Sequence, residues 1–95
     1  MNAMLDEPFS PLQVRRLIRD ILNDGNLEFS FHALEEMLQD GLSEMDIVNV
    51  LRGGWPDPGE HEKGSWRYRI STPQVSVVVA FLDDSWAVVV TAWRN

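Results

Sequence analysis

Residues 75–94 read VSVVVAFLDDSWAVVVTAWR, and the parsing of this stretch decides the fold. Two valine-rich runs flank Asp83-Asp84-Ser85, a sequence suited to a tight turn. β-Branched and aromatic residues dominate both runs, which marks them as strands. The first run is apolar at nearly every position, which predicts burial on both faces. Just upstream, SWRYRIS (65–71) alternates strictly, with Arg67 and Arg69 on one side and Trp66, Tyr68 and Ile70 on the other. Three strands joined by short connections predict an antiparallel meander.

Further toward the N-terminus the period lengthens from two to about 3.6. Ser10 is a natural N-cap, with Pro11 at the first helical position. Val14, Leu17, Ile18, Ile21 and Leu22 then form an apolar stripe, and Gly25 supplies a left-handed stop. The following LEF (27–29) alternates too briefly to define a strand and reads as an extended link. A second helix starts near Ser30, with Phe31, Leu34, Met37 and Leu38 facing inward, and ends at Gly41. A third is capped by Ser43, with Asp46 placed to complete a capping box. Its apolar side is Ile47, Val48, Val50 and Leu51, and Gly53-Gly54 terminates it. WPDPGEHEKG (55–64) reads as a loop. Helices first and strands after predict one α+β domain over residues 10–95, behind an N-terminal tail at 1–9. Its two to three helices pack on a three-stranded sheet, with a fourth strand allowed.

The totals narrow the function classes. The chain of 95 residues carries 8 Lys and Arg against 15 Asp and Glu, a net charge of −7 that opposes non-specific attraction to nucleic acid. It has no cysteine, so disulfides and thiolate metal sites are excluded. No apolar run nears the ~20 residues that cross a bilayer. MNAMLDEPFS carries acids where a signal peptide carries positive charge, so cytoplasm is the expected location. The charge is unevenly spread. Eight acids and no Lys or Arg fall between Asp20 and Leu51, while the cations gather at Arg15, Arg16 and Arg19, then at Lys63, Arg67 and Arg69.

Several residues are candidates for chemistry, each with a plainer reading beside it. His32 is of the residue type suited to general acid or base work, or it simply hydrogen-bonds backbone or Glu36 one turn on. Two ligands, His32 and Glu36, are too few for a metal site, and no cofactor is expected. His61, between Glu60 and Glu62, reads as solvated. Arg67 and Arg69 project side by side, about 7 Å apart, a spacing that bridges adjacent phosphates or pairs with acids such as Glu60 or Glu62. Tyr68 is a proton or hydrogen-bond donor, or a core residue with its hydroxyl at the edge. The tryptophans at 55, 66, 86 and 93 stack on bases or fill volume.

FSFHALEEM, DGLSEMDIVNVL, WRYRI and VVVTAWR together resemble the small His-Ala-x-x-Arg-Met domains of unknown function, which stand near the RelE-like ribonuclease toxins. VRRLIRDILNDGNLEFS is similar to the leading helix and following step of MqsR-type toxins. The resemblance covers about residues 12–94. It implies a RelE-like α+β fold and a metal-independent mRNA endoribonuclease of a toxin–antitoxin system, with RNA as substrate and an antitoxin as partner. The ribose 2′-hydroxyl would attack the adjacent phosphate with help from a base, an acid and surrounding cations. Carried over position by position, the catalytic set is His32, Tyr68, Arg69 and Arg94, with Lys63 and Arg67 binding RNA. The chain departs from the pattern at two places. Glu36 and Asp40 stand where the family usually has arginines.

Two readings follow. One is the ribonuclease, acting through a small electropositive pocket formed by the first strand and the chain's last residues. The other is a non-catalytic module of the same fold, an antitoxin-, immunity- or regulator-like binder, with the acidic helix surface as its interface.

Overall fold

A computed structural model describes residues 6–95. Residues 1–5 of the expected tail lie outside the described residues. The elements follow in the order α1 (Pro11–Asp24), β1 (Asn26–Phe29), α2 (Phe31–Asp40), α3 (Glu44–Gly53), β2 (Trp55–Pro56), β3 (Glu60–Glu62), β4 (Ser65–Ser71), β5 (Val75–Asp83) and β6 (Trp86–Arg94). Three helices pack on a mixed six-stranded sheet, an α+β fold.

Local chemistry explains the helices. Ser10 accepts the Gln13 N–H while the Gln13 side chain accepts the Ser10 N–H, a reciprocal capping box at the start of α1. Ser43 and Asp46 build the same device on α3. The Ser43 backbone N–H, and then its hydroxyl, hold the Asp46 carboxyl below the usual carboxylate range. Gly41 closes α2 in the left-handed conformation, at φ 67° and ψ 34°. Gly25 differs from expectation: its φ of −102° is extended, not left-handed. It is required there because a Cβ would run into the Ser85 carbonyl and the Ile21 backbone.

The sheet order is β1-β6-β5-β4-β2, with β3 also paired to β4. The antiparallel meander β4-β5-β6 forms its centre. Three strands extend it beyond the sequence reading. Residues 26–29, read as a link, form β1, which pairs in parallel with β6 at Asn26↔Trp86 through Phe29↔Val89. The loop at 55–64 contributes β2 and β3, both antiparallel to β4.

One face of the sheet presents Tyr68, Ile70, Val77, Val79, Phe81, Ala87, Val89 and Ala92 to the core. Val14, Ile18 and Ile21 of α1, Ala33 and Met37 of α2, and Ile47, Val50 and Leu51 of α3 pack on that face. Phe9 also belongs to the core, stacked on Tyr68 with ring centroids 5.9 Å apart. The other face is only half covered: Val78 and Ala80 are partly exposed and Leu82 is exposed, so β5 is not buried on both sides as its composition predicts. No helix among the described residues is long and apolar enough to cross a membrane.

A one-residue irregularity sets the face of the C-terminal residues. Val79 pairs with Val89 but Val78 pairs with Thr91, so Val90 is extra. The bulge shifts the alternation, which places Ala92 in the core and turns Thr91 and Trp93 to the opposite face.

Candidate functional site

Two surfaces carry the chemistry suggested by the sequence. The first is a cleft of about 230 Å³ whose lining includes Arg67 and Arg69 of β4, Val78 of β5 and Thr91 and Trp93 of β6. Arg69, Val78 and Thr91 are direct cross-strand neighbours in one row. Asp57, Glu60 and Glu62 close the side formed by the β2–β3 segment. Both guanidiniums are engaged. Arg69 Nε and Nη2 each lie 2.8 Å from Asp57 Oδ2, and Arg67 Nη1 lies 3.8 Å from Glu62 Oε1. Three carboxylates against two guanidiniums leave the cleft anionic on balance. The Arg69–Asp57 pair, with both side chains about half exposed, holds by about 0–1 kcal/mol.

The remaining catalytic candidates do not join this cleft. Tyr68 is 0% exposed, and its hydroxyl accepts the Phe9 N–H at 3.1 Å and donates to Glu7 Oε2 at 2.8 Å. Burial, reinforced by the Glu7 carboxylate, pushes its pKa far above the usual tyrosine value. Arg94 sits at the end of α2, where its guanidinium donates to the Asp40 and Gly41 carbonyls at 3.1–3.4 Å. A cation there complements the helix dipole. It lines a separate depression with Asp46 and Thr72. His32 is solvated, its side chain 66% exposed, with Nε2 3.3 Å from Glu36 Oε1. Lys63 is exposed in the β3–β4 turn at φ 51°. Arg67 and Arg69 are thus brought together; His32, Tyr68, Lys63 and Arg94 stand apart from their cleft lining. The expected electropositive pocket of first-strand and C-terminal guanidiniums does not form. Asp40 holds Arg94 elsewhere, and the β2–β3 carboxylates neutralise the other two. Among the described residues no three of His, Asp and Glu cluster as a metal ion would require.

The second surface is α2. β1 stops at Phe29, and beyond it the outer edge of β6 is covered by this helix instead. Ser30 Oγ donates to the Val90 carbonyl at 2.8 Å, the Thr91 hydroxyl donates to the Glu36 carboxylate, and Asp40 Oδ2 accepts the Arg94 N–H at 2.8 Å. Glu36 and Asp40, the positions where arginines are expected, therefore serve as acceptors for a strand edge. Leaving that edge bare would invite pairing with another chain.

This docking turns α2 around relative to its expected orientation. Only Ala33 and Met37 are buried. Phe31, Leu34 and Leu38, expected inside, are 78%, 42% and 83% exposed. Spaced i, i+3 and i+7, they lie on one side of the helix as a continuous apolar stripe. Glu35 and Gln39 flank it, and both are exposed.

A family model described as Domain of unknown function (DUF4258) matches residues 29–94, from the end of β1 to the end of β6. No curated protein and no solved structure matches the chain.

Proposed function

The chain belongs to the DUF4258 family of domains of unknown function, and we propose that it is a non-catalytic protein-binding module with α2 as the recognition element. The observation that carries this reading is the solvent-facing stripe Phe31-Leu34-Leu38. Burying a Phe or Leu side chain is worth about 1.5–3 kcal/mol, and an apolar triplet at this spacing is how a helix enters a groove on a partner. The chemistry of the partner follows from charge. Exposed Glu35 flanks the stripe and no Lys or Arg falls between Asp20 and Leu51, so the complementary surface is apolar with a cationic rim. An antitoxin-, immunity- or regulator-like role of the chain itself, in the cytoplasm, fits the proposal.

The test uses a synthetic amphipathic Lys/Leu helix as probe, with fluorescence anisotropy as the readout. The wild type is expected to bind it saturably. Phe31→Ser together with Leu38→Ser is expected to weaken binding about tenfold or more without lowering the melting temperature, since both side chains are exposed. The substitutions leave charge unchanged, so equal binding by wild type and variant would reduce the interaction to bulk electrostatics and sink the reading.

A second reading, an RNA-cleaving relative of the RelE and MqsR toxins, is favoured by one feature: Arg67, Arg69 and Trp93 share a cleft. There two guanidiniums would take adjacent phosphates and the indole would stack on a base. Our first reading predicts that purified protein leaves RNA intact and that induced expression does not arrest bacterial growth. RNA cleavage by the wild type that Arg69→Ala abolishes would replace the first reading with the second.

A further inference from the structure

α1 and α3 leave a groove of about 350 Å³ between them. Its lining includes Leu12, Leu22 and the four arginines Arg15, Arg16, Arg19 and Arg52, and it includes no carboxylate. Half of the chain's 8 Lys and Arg residues therefore line one groove of a molecule whose net charge is −7.

Little in the isolated chain explains that concentration. Arg19 lies 3.7 Å from Asp20 in a largely exposed pair. Arg15 Nη1 donates to the Gly54 carbonyl at 2.6 Å, and its guanidinium sits 5.2 Å from the Trp55 ring centroid. These contacts hold Arg15 in place at the groove. Arg16 and Arg52 make no hydrogen bond or ion pair among the described residues. Arg52 occupies the last turn of α3, where a cation suits the helix dipole, but α1 has no basic residue in its own last turn. Arg15 and Arg16 instead stand four and three residues before Arg19, a like-charge arrangement that disfavours the free helix.

We infer that this groove docks an acidic amphipathic helix of a partner protein. Its apolar side chains would enter between Leu12 and Leu22, and its carboxylates would meet the arginine rim, with Arg15 already oriented. An apolar floor suits a protein helix better than a nucleic-acid backbone. No aromatic side chain lines the groove to stack on a base. A second copy, whose own α2 is an acidic helix with an exposed apolar stripe, is the competing occupant, and the mass measurement below separates the two. The groove shares no residue with the α2 stripe, so the inference stands or falls separately from the function proposed above.

The experiment titrates a labelled Glu/Leu amphipathic helix with the full chain and follows anisotropy. Saturable binding is expected, weakening as salt rises. Arg16→Glu with Arg52→Glu is expected to weaken it at least about tenfold, and Leu12→Ser, which alters no charge, is expected to weaken it too. Circular dichroism checks that each variant is folded, and Phe31→Ser/Leu38→Ser is expected to leave this binding intact. Failure of the wild type to bind, or equal binding by the Arg16/Arg52 variant, overturns the inference. So does a single-stranded RNA that displaces the probe from the groove. A concentration-dependent doubling of mass abolished by the Arg16/Arg52 variant would also overturn it, by assigning the groove to a second copy.

Discussion

Tyr68→Ala is expected to destabilise the protein by about 3–5 kcal/mol, enough to abolish a marginal fold. The ring is wholly buried between Phe9, stacked at 5.9 Å, and Phe81, at 5.6 Å. It also fills the space beside Gly59, where a Cβ would meet the ring at 2.5 Å. Tyr68→Phe separates the hydroxyl from the ring. It leaves the Phe9 N–H without its acceptor and the Glu7 carboxylate without its donor, a loss of about 1–3 kcal/mol. Urea unfolding of both variants checks these values. The same hydroxyl makes stability sensitive to alkali. Burial, and then the Glu7 carboxylate, raise the folded pKa, so the neutral phenol is favoured in the native state. Its contribution is complete below about pH 10, where an unfolded tyrosine titrates, and is lost as pH rises toward the folded value. The slope is up to about 1.4 kcal/mol per pH unit, and Tyr68→Phe removes it. Because this is the chain's only tyrosine, tyrosinate absorbance reads the group directly. A phenolate appearing near pH 10 in folded protein would show that the hydroxyl is accessible, and would restore Tyr68 as an acid for chemistry.

What the sequence made legible was what neighbouring residues decide. Ser10-Pro11 and Ser43 with Asp46 mark helix starts because the capping partners sit three residues away. The alternation of Arg67 and Arg69 against Tyr68 and Ile70 fixes the faces of β4 because side chains on a strand alternate at a period of two. The partners missed were distant ones. Asn26–Phe29 is a strand only because β6, some sixty residues later, lies open beside it. The placing of Thr91 and Trp93 in the cleft depends on a bulge at Val90 that no local composition announces.

The orientation of α2 failed for a more instructive reason. Periodicity locates an apolar stripe but does not say what the stripe faces. Here the neighbour is the edge of β6, rich in hydrogen-bonding groups, so Ser30, Glu36 and Asp40 turn inward with the small Ala33 and the flexible Met37. The larger apolar residues are left for something outside the chain. The acids that looked like lost phosphate-binding arginines and the apolar residues that looked like core are thus two consequences of one contact. That contact also holds Arg94 at the end of α2, away from the cleft of Arg67 and Arg69.

The adjacent glycines at 53 and 54 are expected to respond in opposite directions to alanine. The sequence reads the pair only as a helix terminator. Gly53 is the last residue of α3, with φ outside the left-handed range and nothing within 4 Å of where a Cβ would stand. Alanine there restricts the unfolded chain and is expected to stabilise by about 0.5–1 kcal/mol. At Gly54 a Cβ would lie 2.7 Å from the Val50 carbonyl oxygen and 2.8 Å from that of Ser71, with Ile70 Cγ2 at 3.0 Å. The closest two are backbone atoms, one in α3 and one at the end of β4, and neither can swing aside as a side-chain tip can. Making room means moving the end of α3 off the sheet, and with it the Gly54 carbonyl that fixes Arg15. Gly54→Ala is therefore expected to cost about 3 kcal/mol, a fall of about 4–8 °C in melting temperature per kcal/mol for a domain of this size. Calorimetry on the two single variants checks both signs. Equal effects at both positions would mean that conformational freedom, rather than the close approach of α3 to β4, dictates glycine at 54.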